Sequence, residues 1–226
     1  MKKITAILAV VALFIISARG QDFLNMNFES AFSLPGNPPQ PLGADIPVSN
    51  ALPDWSAYAA GVALTDVYYV SNYFPGASTL VELESGSLAL SGDFSVALFL
   101  GGSISQTGLV PANAESLQFD ASSSALNLII SLGGQNLPYS TLSTGPNYTV
   151  YGANIPAALD GQMETLDLFL NGGQSLLDNI EFSPLSVPEP AEWALIGFGA
   201  ILFGIRRFSQ MAQIKKRQKT NLRFRP

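Results

Sequence analysis

Between residues 21 and 186 the apolar residues come in short runs, separated by Gly, Pro, Asn and Ser. No 3.6-residue periodicity persists, whereas several segments alternate with period two, the repeat of a strand that buries one face. Residues 116–120 (SLQFD) alternate cleanly and place Leu117 and Phe119 on one side. Residues 95–100 (SVALFL) and 126–132 (LNLIISL) predict more deeply buried strands, and residues 165–170 and 175–182 complete the set. Paired glycines punctuate the pattern at Gly101-Gly102, Gly133-Gly134 and Gly172-Gly173. Glycine supplies the positive φ of a tight turn, so a hairpin is expected at each pair. The proline-rich residues 34–53 read as an ordered loop leading into Asp54 and Trp55, with the indole capping a hydrophobic core. Short strands spaced by turn signals predict a β-sandwich rather than a helical or α/β fold.

Charge narrows the function classes. All 17 acidic residues lie between Asp22 and Glu192, and residues 21–205 contain no Lys, Arg or His. The 11 basic residues sit at the two ends, Lys2, Lys3 and Arg19 in front and the rest from Arg206 onward. A body with negative charge alone repels phosphate backbones, which excludes nucleic-acid binding. Clustered carboxylates could instead attract divalent cations. With no Cys and no His, the chain lacks disulfides, thiolate nucleophiles and the commonest general base.

The ends read as addresses. Residues 1–20 combine two lysines, an apolar run over residues 4–16, and the small residues Ala18 and Gly20. That is the pattern of a signal peptide cut before Gln21. Near the other end, Val187-Pro188-Glu189-Pro190 precedes an apolar stretch that stops at Arg206-Arg207. The prolines favour an extended segment, and the arginines mark the side of a membrane stop that stays cytoplasmic. A transmembrane helix is expected over residues 191–205, followed by a basic cytoplasmic tail over residues 206–226.

Pro188-Glu189-Pro190, the glycine-bearing apolar helix and Arg206-Arg207 together resemble the PEP-CTERM sorting signal of Gram-negative bacteria, here over residues 187–208. The resemblance implies an exosortase as partner, cleavage near Pro-Glu-Pro, and passage from the inner membrane to the cell surface or extracellular matrix. It also implies a host that makes exopolysaccharide. Two features depart from the family pattern. The stretch from Trp193 to Ile205 has 13 residues, about 20 Å of helix and short of a ~30 Å hydrocarbon core. The basic tail is also longer than the family's usual ending.

Residues 22–184 carry a second resemblance. Asn-Met-Asn-Phe-Glu at residues 25–29, Ile104-Ser105-Gln106-Thr107, and Leu177-Asp178-Asn179-Ile180 are similar to segments of galactose-binding-like jelly-roll domains. The likeness implies an all-β, jelly-roll-like sandwich whose terminal strands lie close together. It further implies a structural calcium reached by Glu29 and Asp178, with Asn179 standing where a second Asp is often found.

The function expected from this pattern is a non-catalytic cell-surface or matrix protein associated with exopolysaccharide. Aromatic rings are the candidate sugar platforms, with Tyr68, Tyr69 and Tyr73 put forward first and Trp55, Tyr58 and Phe74 beside them. Adjacent strand residues face opposite ways, so one ring of the Tyr68-Tyr69 pair is expected to be exposed. The alternatives are a self-associating structural adhesin and, more remotely, a glycoside-active enzyme. Carboxylates are numerous enough for a glycosidase pair, yet the body has no cation to position substrate and no G-x-S-x-G elbow. Catalysis is therefore not expected.

Overall fold

The computed structural model describes residues 21–32, 43–70, 80–122 and 127–188. The signal peptide, the helix expected over 191–205, the basic tail with Arg206 and Arg207, and Glu189, Pro190, Tyr73 and Phe74 lie outside the described residues. Among the described residues no helix is long and apolar enough to cross a membrane.

The body is almost entirely β. In chain order its strands are β1 (Ala44–Pro47), β2 (Ser56–Ala59), β3 (Val62–Ala63), β4 (Asp66–Val70), β5 (Val81–Ser85), β6 (Phe94–Phe99) and β7 (Gly102–Leu109). There follow β8 (Ser116–Ala121), β9 (Leu128–Leu132), β10 (Gln135–Asn136), β11 (Tyr139–Thr144), β12 (Thr149–Asn154), β13 (Met163–Leu170) and β14 (Gln174–Ser183). One sheet runs β1-β4-β5-β6-β14-β8-β12-β11 and the other β10-β9-β13-β7-β2-β3. The strand pairs are antiparallel except β4 with β5, which run parallel. The last two strands, β13 and β14, both sit inside their sheets.

Alternation along the strands builds the core between the sheets. Leu83, Val96, Leu117, Phe119 and Leu177 of the eight-stranded sheet meet Ile104, Ile130, Leu166 and Leu168 of the other, all buried. Each such side chain contributes about 1.5–3 kcal/mol of transfer free energy. The expected strands are present: β8, β13 and β14 run one or two residues longer than expected, β6 sits one residue earlier, and β9 begins two residues later. Leu117 and Phe119 share the inner face, as the SLQFD alternation requires.

Two of the three expected hairpins are absent. Gly133 and Gly134, at φ +58° and +73°, do turn a hairpin, pairing Leu132 with Gln135. Gly101-Gly102 instead joins β6 in one sheet to β7 in the other, and Gly172-Gly173 joins β13 to β14 in the same way. These are corners at the edge of the sandwich, and they clasp each other. Leu100 N–H donates to the Gly173 carbonyl (3.0 Å) and Gly101 N–H to that of Leu170 (2.8 Å). Paired glycines report a sharp change of direction, which a corner needs as much as a hairpin does. The proline-rich segment also carries more structure than a loop. Its described part forms β1 and a one-turn helix, α1 (Val48–Ala51).

Candidate functional site

The N-terminal segment is a knot of backbone in unusual conformations. Asn25, Phe28 and Phe32 adopt φ of +49°, +59° and +58°. Asn25 makes the first of these workable by spending its side chain locally. Its amide accepts from Ser30 N–H (2.9 Å) and donates to the Pro53 carbonyl (3.1 Å). Its carbonyl accepts the Trp55 indole N–H (2.9 Å), and the indole packs on Phe28 with ring centroids 5.6 Å apart. Trp55 is thus a core residue, as a cap on the core requires. Gln106, at the middle of β7, ties this knot to the sheet. Its side chain accepts Leu24 N–H and donates to the carbonyls of Leu24 and Asp54.

The segment also meets β14, so the two ends of the body lie together. Ile180 N–H donates to the Met26 carbonyl (2.9 Å) beside a bulge between Asp178 and Glu181, where Asn179 sits at φ +45°. Glu29 and Asp178 converge on one loop. Glu29 Oε1 accepts the N–H of Asp93 (2.9 Å) and Phe94 (3.1 Å). Asp178 Oδ2 accepts Ser91 N–H (3.0 Å) and the Ser95 hydroxyl (2.8 Å), while Oδ1 accepts Asn179 N–H (2.7 Å). Burial pushes Asp178 up to about 6, the hydrogen bonds from Ser95, Asn179 and Ser91 oppose that, and the Glu29 charge adds to it.

These contacts do not fit a calcium cage. The ion needs six to eight oxygens turned towards it, whereas both Asp178 oxygens and Glu29 Oε1 are occupied by N–H and O–H donors. The Asn179 side chain is turned to Asp120 Oδ2 (3.0 Å). Among the described residues no group of three or more acidic side chains is arranged to hold a metal.

Tyr68 and Tyr69 face opposite ways on β4. Tyr69 points inward, half-buried, against Phe32 (5.1 Å) and Phe94 (6.4 Å). Tyr68 lies on the outer face opposite Asp45 and Glu82, and it too is half-buried.

A separate surface feature lies beside the knot. An open groove of about 550 Å³ runs along β2 and the segment before it, lined among others by Ser30, Ser49, Asp54, Ser56, Tyr58 and Leu64. Ser49, Asp54 and Ser56 are exposed and Tyr58 is half-buried. Asp54 is held at φ +71°, with its carbonyl gripped by Gln106. Sequence reading picked out Tyr58 among the aromatics but missed Asp54 and the serines, because only the folding of residues 48–56 against the knot brings them together.

The body's other end is fastened too. Val187 N–H donates to Asn154 Oδ1 (2.6 Å) and the Asn154 amide donates back to the Val187 carbonyl (3.1 Å). Val187 is buried, and Pro188, half-buried, lines a shallow depression with Tyr139 and Gly152.

No family model matches the chain, and no curated protein does. Among solved structures, the catalytic unit of a thermostable GH87 α-1,3-glucanase from Streptomyces thermodiastaticus strain HF3-3 is similar at 22% identity and a TM-score of 0.33, over 66% of this chain. The chain spans 28% of that unit's length. TmCBM61, solved in complex with β-1,4-galactotriose, is similar at 14% identity and a TM-score of 0.34, over 72% of this chain and 97% of its own.

Proposed function

We propose that this is an exported, non-catalytic surface or matrix protein whose jelly-roll-like β-sandwich binds carbohydrate in the groove along β2. The groove itself carries the reading. It sets a half-exposed Tyr58 ring among the Ser49 and Ser56 hydroxyls and the Asp54 carboxylate. A ring face for the apolar side of a sugar, with donors and acceptors around it, suits a polyol. Asp54 is the single carboxylate among the described lining residues, so the groove does not present the two acids a glycosidase uses.

Export and sorting through Pro188-Glu189-Pro190 by an exosortase rest on the sequence, and Val187, just before that motif, is fastened to the body by Asn154. Self-association through the edge strand β11 is the weaker alternative. That strand carries a bulge between Thr141 and Ser143, one of the devices that blunt an exposed edge.

Affinity electrophoresis against a panel of neutral and acidic polysaccharides tests the reading. Wild type is expected to be retarded by at least one polymer, and Tyr58→Ala or Asp54→Ala to weaken that retardation about tenfold, the loss of one good contact. No retardation of wild type, or equal retardation of both variants, would overturn it.

A further inference from the structure

Strand β5 alternates in a way that leaves two acids with nowhere to send their charge. Val81 and Leu83 point into the core, and Glu82 and Glu84 point to the outer face of the eight-stranded sheet. Both are buried, at 0% and 1% exposure. Outside the pair, no described group donates a hydrogen bond to either oxygen of Glu82 or to Oε2 of Glu84.

Among the described residues the surroundings supply no cation. From β4, Tyr68 stands opposite Glu82 and Val70 opposite Glu84. Behind Tyr68, β1 contributes Asp45. From β6 come Ala97 and Ser95, and Ser95 is hydrogen-bonded to the next acid on that face, Asp178 of β14. Asp120 of β8 follows in the same rung, paired with Asp178. On the core side, β7 brings no titratable group, and β2 turns Ala57 inward with Tyr58 directed to the groove. Residues 21–205 hold no Lys, Arg or His.

Isolated ionised carboxylates are expensive to bury, and such groups normally neutralise instead. Glu82 and Glu84, two residues apart on one strand, lie on the same buried face, where two neighbouring carboxylates interact favourably only with a proton between them. We propose that Glu82 and Glu84 form a proton-sharing acid pair that serves as a pH-sensitive lock on β5. With the proton in place the strand closes the β4-β5-β6 side of the sandwich; its loss in mildly alkaline solution loosens that side.

Burial pushes Glu82 up to about 7, against the pull of its hydrogen bond with Glu84. Burial, then the Glu82 charge and that same hydrogen bond, push Glu84 up to about 8. The ordinary value for either is 4.5. Between 4.5 and about 8 the folded chain therefore binds more protons than the unfolded one, and stability falls as pH rises. The contribution is complete below 4.5 and gone above about 8. Asp178 and Asp120, also shifted up by burial, act in the same direction. That is the reverse of acid denaturation through native carboxylates held as anions.

Carboxyl-carbon NMR of the protein labelled in glutamate tests the pair directly. Two glutamate signals are expected to titrate near 7 and 8, each moving in both steps because the proton is shared. Amide exchange, corrected for its intrinsic pH dependence, is expected to lose about tenfold more protection in β5 than in β9 between about pH 6 and 9, the scale of one pKa unit. In the double variant Glu82→Gln/Glu84→Gln this excess disappears. Ordinary titration of every glutamate overturns the pair, whether or not the double variant folds. Equal loss of protection in β5 and β9 overturns the lock.

Discussion

Glu29 and Asp178, far apart in the chain, grip the same loop from two sides: Glu29 through the N–H groups of Asp93 and Phe94, Asp178 through Ser91 N–H and the Ser95 hydroxyl. The loop enters β6, so the N-terminal knot and the last strand are coupled through a third element. Each carboxylate does for loop donors what a capping side chain does for a helix end. Charge-assisted hydrogen bonds of this kind are among the stronger ones.

Glu29→Ala is expected to cost about 1–2 kcal/mol, because two N–H donors lose their acceptor. Glu29→Gln keeps an acceptor oxygen and is expected to cost less than half of that. Removing the Glu29 charge also removes one of the influences that raise Asp178. Urea melts of the two variants, with an NMR titration of Asp178, check both statements. Equal losses for Ala and Gln would mean that the side chain acts through packing.

Gly102→Ala is expected to destabilise the body by about 1–3 kcal/mol, the usual range for overpacking. A Cβ at this position runs into the Leu80 carbonyl oxygen and comes within 3.1 Å of that of Phe99. Both obstacles are backbone at a corner where the chain changes sheet. The control is Gly134→Ala. There the cost comes from a φ of +73° alone, since nothing lies within 4 Å of the added methyl. Thermal melts of the two variants separate steric from conformational cost.

Asn154→Ala is expected to free the segment after β14 without unfolding the sandwich. The Asn154 side chain makes both hydrogen bonds that hold the Val187 backbone, about 1–2 kcal/mol of local attachment. Limited proteolysis with mass spectrometry of the products is the check. Cleavage in wild type is expected to stop on the C-terminal side of Val187, and in the variant to move back towards Ser183. An unchanged boundary would show that burial of the Val187 side chain suffices.

Strand positions were legible because one buried face stamps a period of two on the residues, as in Ser116–Ala121 and Met163–Leu170. Partner choice was not. Gly101-Gly102 and Gly172-Gly173 look in sequence like the hairpin turn at Gly133-Gly134, and only the tertiary arrangement sends β7 and β14 to the opposite sheet. The sequence resemblance brought Glu29 and Asp178 to the right neighbourhood, since the segment before β1 and strand β14 do meet there. Their employment depends on the N–H groups of the loop before β6, which leave no side-chain signature. Asp54 and the serines of the groove were invisible for a related reason. They are near one another only because Asn25 and Gln106 fold the preceding loop onto β2.

β13 and β14, the last strands among the described residues, occupy interior places in the two sheets. A chain that emerges N-terminus first can assemble edges early, but each sheet stays split down its middle until residues 163–183 arrive. The pairings that complete the body are long-range and slow to form. Completion of both sheets is therefore tied to the arrival of residues 163–183, late in the order of synthesis.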